Sequence, residues 1–168
     1  MSTSEVPIRI RRALLYDLKD MLAIDQAIRD SGAPLTYEGF TTKYIFGLNT
    51  TEVDSARRAS LLEEAVKLLD LSFVAESEGR ICGFVVGRRI YIVERDVNIG
   101  EIAIISVHPE YQRKGVAAKL VDSICELFSS QGVRTMRIRL EPRDKDMKAF
   151  FEHMGFSSEV LVSYTKAL

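Results

Sequence analysis

The chain has 168 residues, which suits a single domain spanning 1–168 with a core large enough to need no staples. Its 46% hydrophobic and 28% charged residues are ordinary for a water-soluble globular fold. The 23 basic and 24 acidic residues nearly cancel, so no overall field selects nucleic acid or an anionic membrane as partner.

Cys82 and Cys125 are the only cysteines, with no C-x-x-C and no histidine cluster, so no metal site is expected. Met1 to Pro7 is polar and lacks the apolar stretch of a signal peptide. The longest apolar runs, such as Ile102 to Ile105, are far below the ~20 residues a bilayer span requires. These features predict a cytoplasmic protein whose thiols are reduced core residues.

In chain order, Ile8, Ile10 and Ala13-Leu14-Leu15 predict an opening strand that leads into a helix beginning near Asp17. Leu18, Met21, Leu22, Asp25 and Ile28 continue at helical spacing until Ser31-Gly32-Ala33-Pro34 breaks it. Residues 37–48 suggest a short helix. Thr51 to Asp70 is a further helix, with Thr51 and Asp54 arranged like a capping box and Leu62, Ala65, Val66 and Leu69 on one face. The period then changes to that of strands. Leu71 to Ala75, Ile81 to Val93 and Ile99 to Val107 predict an antiparallel meander with turns at Glu78-Gly79 and Asp96-Val97-Asn98.

The second half alternates. Val116, Ala117, Leu120, Val121, Ile124 and Phe128 form one helical stripe, closed by Gly132. Met136, Ile138 and Leu140 alternate on a strand. Asp144 is placed to cap a helix carrying Met147, Phe150, Phe151 and Met154, which ends at Gly155. Val160 to Tyr164 predicts a last strand. Strand, helix, strand over residues 99–141 is a right-handed βαβ unit, so the sheet should be mixed, antiparallel first and parallel later.

The segment with chemical content is Val107-His108-Pro109-Glu110-Tyr111-Gln112-Arg113-Lys114-Gly115-Val116-Ala117, between a strand and an amphipathic helix. The first N–H groups of a helix have no internal partner and carry the positive end of its dipole, which makes an anion site. Gly115 permits a positive φ or close backbone approach, and Arg113 and Lys114 add charge. Taken alone, the same residues also describe a tight turn with two solvated cations.

Gln112-x-x-Gly115-x-Ala117 resembles the Q/R-x-x-G-x-G/A motif of the GNAT family of N-acetyltransferases. Val107 to Tyr111 resembles that family's lead-in, and Ala149-Phe150-Phe151-Glu152-His153-Met154-Gly155-Phe156 its second signature, A-x-x-F-Y-E-K-x-G-F. The resemblance covers residues 105–156 by motif and the rest by order of elements. It implies an α/β (α+β) fold with a mixed, mostly antiparallel sheet of about seven strands, a parallel βαβ unit and helices on both faces. It implies acetyl-CoA as co-substrate. The pantetheine arm would pair with Ile105, Ser106 and Val107 in a gap opened between two splayed strands. Backbone amides of Gln112, Arg113, Lys114, Gly115, Val116 and Ala117 would hold the pyrophosphate, and the Val107 amide would stabilise the oxyanion. The acceptor would be a primary amine of a small molecule, a peptide N-terminus or a lysine, at a site built from residues 25–55 and strand ends. A homodimer is compatible with the resemblance.

Two positions near the implied cofactor depart from the family pattern. Phe151 stands where relatives carry a tyrosine thought to protonate the leaving thiolate, and Asp144 where asparagine is common. The loss at Phe151 leaves open an acyl-CoA-binding module without efficient turnover. As general base, Glu141 is the first candidate and Glu101 the second. Their alternatives are a strand-end carboxylate paired with Arg139 or Arg143, and a turn residue. His108, His153, Tyr111 and Tyr164 read as structural, and Arg88 and Arg89 as solvated. Asp25, Asp30, Glu38, Glu52 and Asp54 would make the acceptor wall acidic if they faced it.

Overall fold

The structure, a computed structural model, describes residues 7–32, 54–159 and 166–167. Strand β1 is Arg9–Arg12, followed by a 3-10 turn at Leu15–Asp17 and helix α1, Leu18–Asp30. Helix α2 is Ser55–Leu69, and strands β2, β3 and β4 are Ser72–Ser77, Arg80–Ile92 and Val97–Val107. Helix α3 is Val116–Ser130, strand β5 Met136–Ile138 and helix α4 Lys145–His153. Among the described residues the sheet has five strands in sequence order, against about seven expected. All neighbours are antiparallel except β4 and β5, which are parallel as the βαβ reading requires. Residues 37–48 and 160–164, with Tyr164, lie outside the described residues.

Both faces of the sheet are covered. Met21, Ile24 and Ile28 of α1 and Leu69 of α2 pack with Val74, Phe84, Val86 and Ile104. On the other face Leu120, Val121, Ile124 and Phe128 of α3 and Phe151 of α4 pack with Val85, Ile102 and Val107. Gly87 and Gly100 make the second packing possible. A Cβ on Gly87 would stand 2.6 Å from Ile124, and one on Gly100 2.2 Å from the Met136 sulfur and 2.8 Å from Phe128.

Several boundaries differ from the sequence reading, each for a local reason. Asp54 is itself the cap of α2, accepting the Arg57 N–H at 2.7 Å, so the helix begins one turn later than a Thr51 cap would place it. Val66 is exposed, and only Ala65 and Leu69 of the expected face can be placed in the core. The turn after β3 is a 3-10 turn at Val93–Arg95 closed by Asp96 at φ 51°, and β4 already begins at Val97. Asp17 does open α1, but as a buried hub: its carboxylate takes two hydrogen bonds from Arg11, at 2.7 and 2.8 Å, and the Leu14 N–H at 2.8 Å.

Strand β4 carries one extra residue, because Val86 opposes Ile104 while Gly87 opposes Ile102. This bulge at Ala103 reverses which side chains face α3: Ile102 belongs to the α3 side of the core and Ile104 to the α1 side. It falls where β4 loses its parallel partner, since Ile102–Ile138 is the last pair of β4 and β5. From Ala103 to Val107, about 13 Å of strand, the β5-side edge of β4 has no partner strand among the described residues.

Candidate active site

The direction of the amides along that edge follows from the register. The His108 N–H donates to the Cys82 carbonyl at 2.9 Å, which makes Gly83–Val107 a pair without mutual hydrogen bonds. The N–H and C=O of Val107 therefore point away from β3, into the gap beside β5. Val85–Ile105, two residues along, has the same sense, so the Ile105 amide points there too. Ser106 alternates and faces β3 with its backbone.

The strand ends in a built turn. The Gln112 side chain donates from Nε2 to the Val107 carbonyl at 3.2 Å, tying the loop across the strand end. His108 Nδ1 accepts the Glu110 N–H at 3.3 Å and caps the 3-10 turn Pro109–Tyr111, so His108 serves the loop's shape. Lys114 lies over the Tyr111 ring at 5.2 Å. Arg113 at φ 59° and Gly115 at φ 76° are both left-handed, which turns the loop out of the strand and into α3. Gly115 is the α3 cap and has no side chain to satisfy the helix's first amides. The first intrahelical bond is Lys119 N–H to Gly115 C=O at 3.2 Å, leaving the Val116, Ala117 and Ala118 N–H groups without an intrahelical acceptor. Gln112 to Gly115 are exposed, whereas the Val116 side chain is buried, so Val116 can contribute only its amide. An open strand edge thus runs directly into an uncapped helix N-terminus.

The remaining candidates fall in different places. Glu141 is exposed just beyond β5, with Arg143 Nε 3.8 Å from its carboxylate. Asp144 caps α4, accepting the Met147 N–H at 3.1 Å. Phe151 is 2% exposed, edge-on to Phe150 at 5.0 Å and Phe156 at 5.1 Å, and brings no proton donor of its own. Burial pushes both thiols up, that of Cys125 with help from Asp122, which argues against either as a nucleophile.

Glu101 departs most from expectation. It lies mid-strand, 2% exposed, and not in a turn. Arg88 Nε donates to its Oε1 at 2.7 Å, with Arg88 Nη2 bound to the same oxygen. Arg137 holds Oε2 through Nε at 2.8 Å and Nη2 at 2.6 Å, and Arg139 Nη2 reaches Oε1 at 3.2 Å. Burial pushes this carboxyl up, but the hydrogen bonds from Arg88 and Arg137 and the charges of Arg88 and Arg139 outweigh it, and the pKa is lowered. Arg88 is therefore an ion-pair partner and not simply solvated. Sequence reasoning missed this cluster, although Arg137 and Arg139 alternating with Met136, Ile138 and Leu140 was its signal. Of the acidic residues of the expected acceptor wall, Asp25 is buried and bound by Arg29 at 3.1 Å, Asp30 is exposed and accepts from Gln26 at 2.8 Å, and Asp54 is a helix cap, while Glu38 and Glu52 lie outside the described residues.

Among the described residues no group of three or more His, Cys, Asp or Glu side chains is placed to hold a metal ion, and no helix is long and apolar enough to cross a membrane.

The family model for the acetyltransferase (GNAT) family matches residues 36–156, and the chain belongs to that family. N-alpha-acetyltransferase 30 of Schizosaccharomyces pombe is 27% identical over 88 residues; the match spans 52% of this chain and 57% of that protein's length. Among solved structures, aminoglycoside N-acetyltransferase AAC(6')-Iy in complex with CoA superposes with a TM-score of 0.67 at 17% identity, covering 100% of both chains. The ribosomal-protein-alanine N-acetyltransferase of Brucella melitensis biovar Abortus 2308 gives 0.62 at 16% identity, covering 96% of this chain and 99% of that one. At such identities these structures establish the shared fold.

Proposed function

We propose that this chain binds acetyl-CoA and transfers its acetyl group directly to a primary amine. The observation that carries the reading is the continuity of the site: the Ile105 and Val107 amides point into the β4–β5 gap, and the gap opens at the Gly115-capped end of α3. Pantetheine amides would pair with the outward backbone groups of Ile105 and Val107 as an added strand, running past Ser106, whose backbone is turned to β3, and the pyrophosphate would sit on the amides of Gln112 to Ala117. CoA in the AAC(6')-Iy complex supports this choice of co-substrate.

The residues then divide the reaction. The amine nitrogen attacks the thioester carbonyl carbon; because Val107 borders the pyrophosphate loop, an arm running along β4 covers Val107 first and brings the thioester to the next outward amide, so the Ile105 N–H receives the oxyanion, and a donor of that kind contributes about 3 kcal/mol. As the C–S bond breaks, the sulfur leaves as thiolate. Phe151 supplies no proton, and a thiol pKa of about 8.5 makes the thiolate a tolerable leaving group. The amine's proton passes to Glu141, directly or through water. Glu141 is preferred to Glu101 because both oxygens of Glu101 are occupied by guanidinium donors, so accepting a proton there would require breaking an ion pair. Asp144 and Phe151 shape the α4 wall of the cofactor site.

The test is CoA release from acetyl-CoA over a panel of amines, wild type against Glu141→Gln. The variant should lose turnover while binding acetyl-CoA nearly as before, and an unchanged pH–rate profile would exclude Glu141 as base. The closed apolar surroundings of Phe151 favour one second reading, an acyl-CoA-binding module. Tight binding with no CoA release for any amine would establish that reading instead.

A further inference from the structure

Three guanidiniums against one carboxylate is an unbalanced arrangement in a chain whose formal net charge is -1. Among the described residues, Arg88, Arg137 and Arg139 all pair with the one carboxylate of Glu101. The carboxylate is saturated, but the cations are not sealed in. The Arg139 side chain is 68% exposed, that of Arg88 44% and that of Arg137 29%, so their remaining N–H groups reach solvent. Glu101 serves as an anchor that fixes three cations around one point.

The position of that point gives it meaning. Gly100 and Ile102 face Phe128 and α3, so Glu101 between them faces the opposite side of the sheet, toward α1 and α2. It is paired with Arg137, one step before the last β4–β5 pair. Arg139 directly follows the end of β5 at Ile138. The cluster therefore stands at the fork where the strands part, at the far end of the gap from the Gly115 loop. With the pyrophosphate on the loop, the thioester lies toward the fork, and an amine meets it from the side the arginines occupy.

We propose that the acceptor carries a carboxylate close to its reactive amine, and that Arg139, with Arg88 and Arg137 behind it, binds that carboxylate. This rests on the acyl-CoA reading above. The carboxylate belongs either to a free amino acid or to an acidic side chain beside a peptide's amine; the chemistry is the same. Guanidinium forks bind carboxylates through two parallel donors, and Arg139, held by a single contact at 3.2 Å, has donors to spare. The same excess charge disfavours a cationic acceptor.

The experiment is calorimetric titration of the CoA-saturated protein with two matched pairs: alanine against alaninamide, which differ only in the carboxylate beside the amine, and a C-terminally amidated tetrapeptide with glutamate at its second position against the same peptide with glutamine. In at least one pair the carboxylate member should bind about tenfold more tightly or better. That advantage should largely vanish in Arg139→Gln and return in part in Arg139→Lys, a pattern that loss of structure alone would not give. Which pair discriminates tells free amino acid from peptide. Equal affinities within both pairs, or no binding of any member, overturn the proposal. Failure of CoA itself to bind would instead sink the acyl-CoA reading, and the same pairs titrated without CoA then decide the arginine site by the same criteria.

Discussion

Replacing Glu101 with glutamine removes the charge at the centre of the arginine cluster with little change of shape. Five N–H donors from three arginines converge on this carboxylate. Removing one partner of a fully buried ion pair costs about 3–5 kcal/mol. Here the acid is buried but its partners reach water, so they can rehydrate, and about 2 kcal/mol is the expected loss at neutral pH. For a chain of this size that lowers Tm by roughly 4–8 °C. The pH dependence follows from the lowered pKa of Glu101. In the unfolded chain its carboxyl takes up a proton near pH 4.3; in the folded protein it does so at lower pH. Its contribution is therefore fully present above the unfolded value and is lost as pH falls through the folded one. Thermal denaturation of both proteins from pH 7 to pH 3 should show a gap that is constant at neutral pH and narrows in acid. A difference under about 1 °C at pH 7, or a gap that stays undiminished to pH 3, would refute the reasoning.

Gly115→Glu should abolish acetyl-CoA binding while the protein stays folded, because a Cβ there meets nothing within 4 Å and only the positive φ is penalised, by about 1–2 kcal/mol. Gly115→Ala, measured by the same titration and melt, should show that penalty with far less loss of affinity. Phe151→Tyr places a hydroxyl among Phe150 and Phe156 and should cost about 1–3 kcal/mol by denaturant titration if it finds no partner. A gain in CoA release by that variant would show that leaving-group protonation limits the rate. Gly100→Ala drives a methyl into Met136 and Phe128 and should destabilise by about 1–3 kcal/mol; an unchanged melt would mean that β5 shifts freely.

The elements were legible where one period dominates. The α3 stripe, the long β3 and β4 strands, and Asp144 as a cap all follow from local pattern. So does the turn from β4 into α3, since the residues from Gln112 to Ala117 are contiguous. What escaped depends on register. The bulge at Ala103 is invisible in a run of isoleucine and alanine, yet it decides that Ile102 and Ile104 face opposite sides of the sheet. The Glu101 cluster needs β3, β4 and β5 aligned before Arg88, Arg137 and Arg139 meet one carboxylate. Asp25 shares the helical spacing of Met21 and Ile28, yet its burial among them became visible only once α1 was docked on the sheet.

The most direct test of the account is calorimetric titration of the purified chain with acetyl-CoA and, in parallel, with ATP. The account predicts saturable micromolar binding of acetyl-CoA and none of comparable strength for ATP, because the β4 edge recognises pantetheine and the loop recognises the diphosphate. A well-folded protein that binds no acetyl-CoA, or that binds ATP equally well, would contradict it.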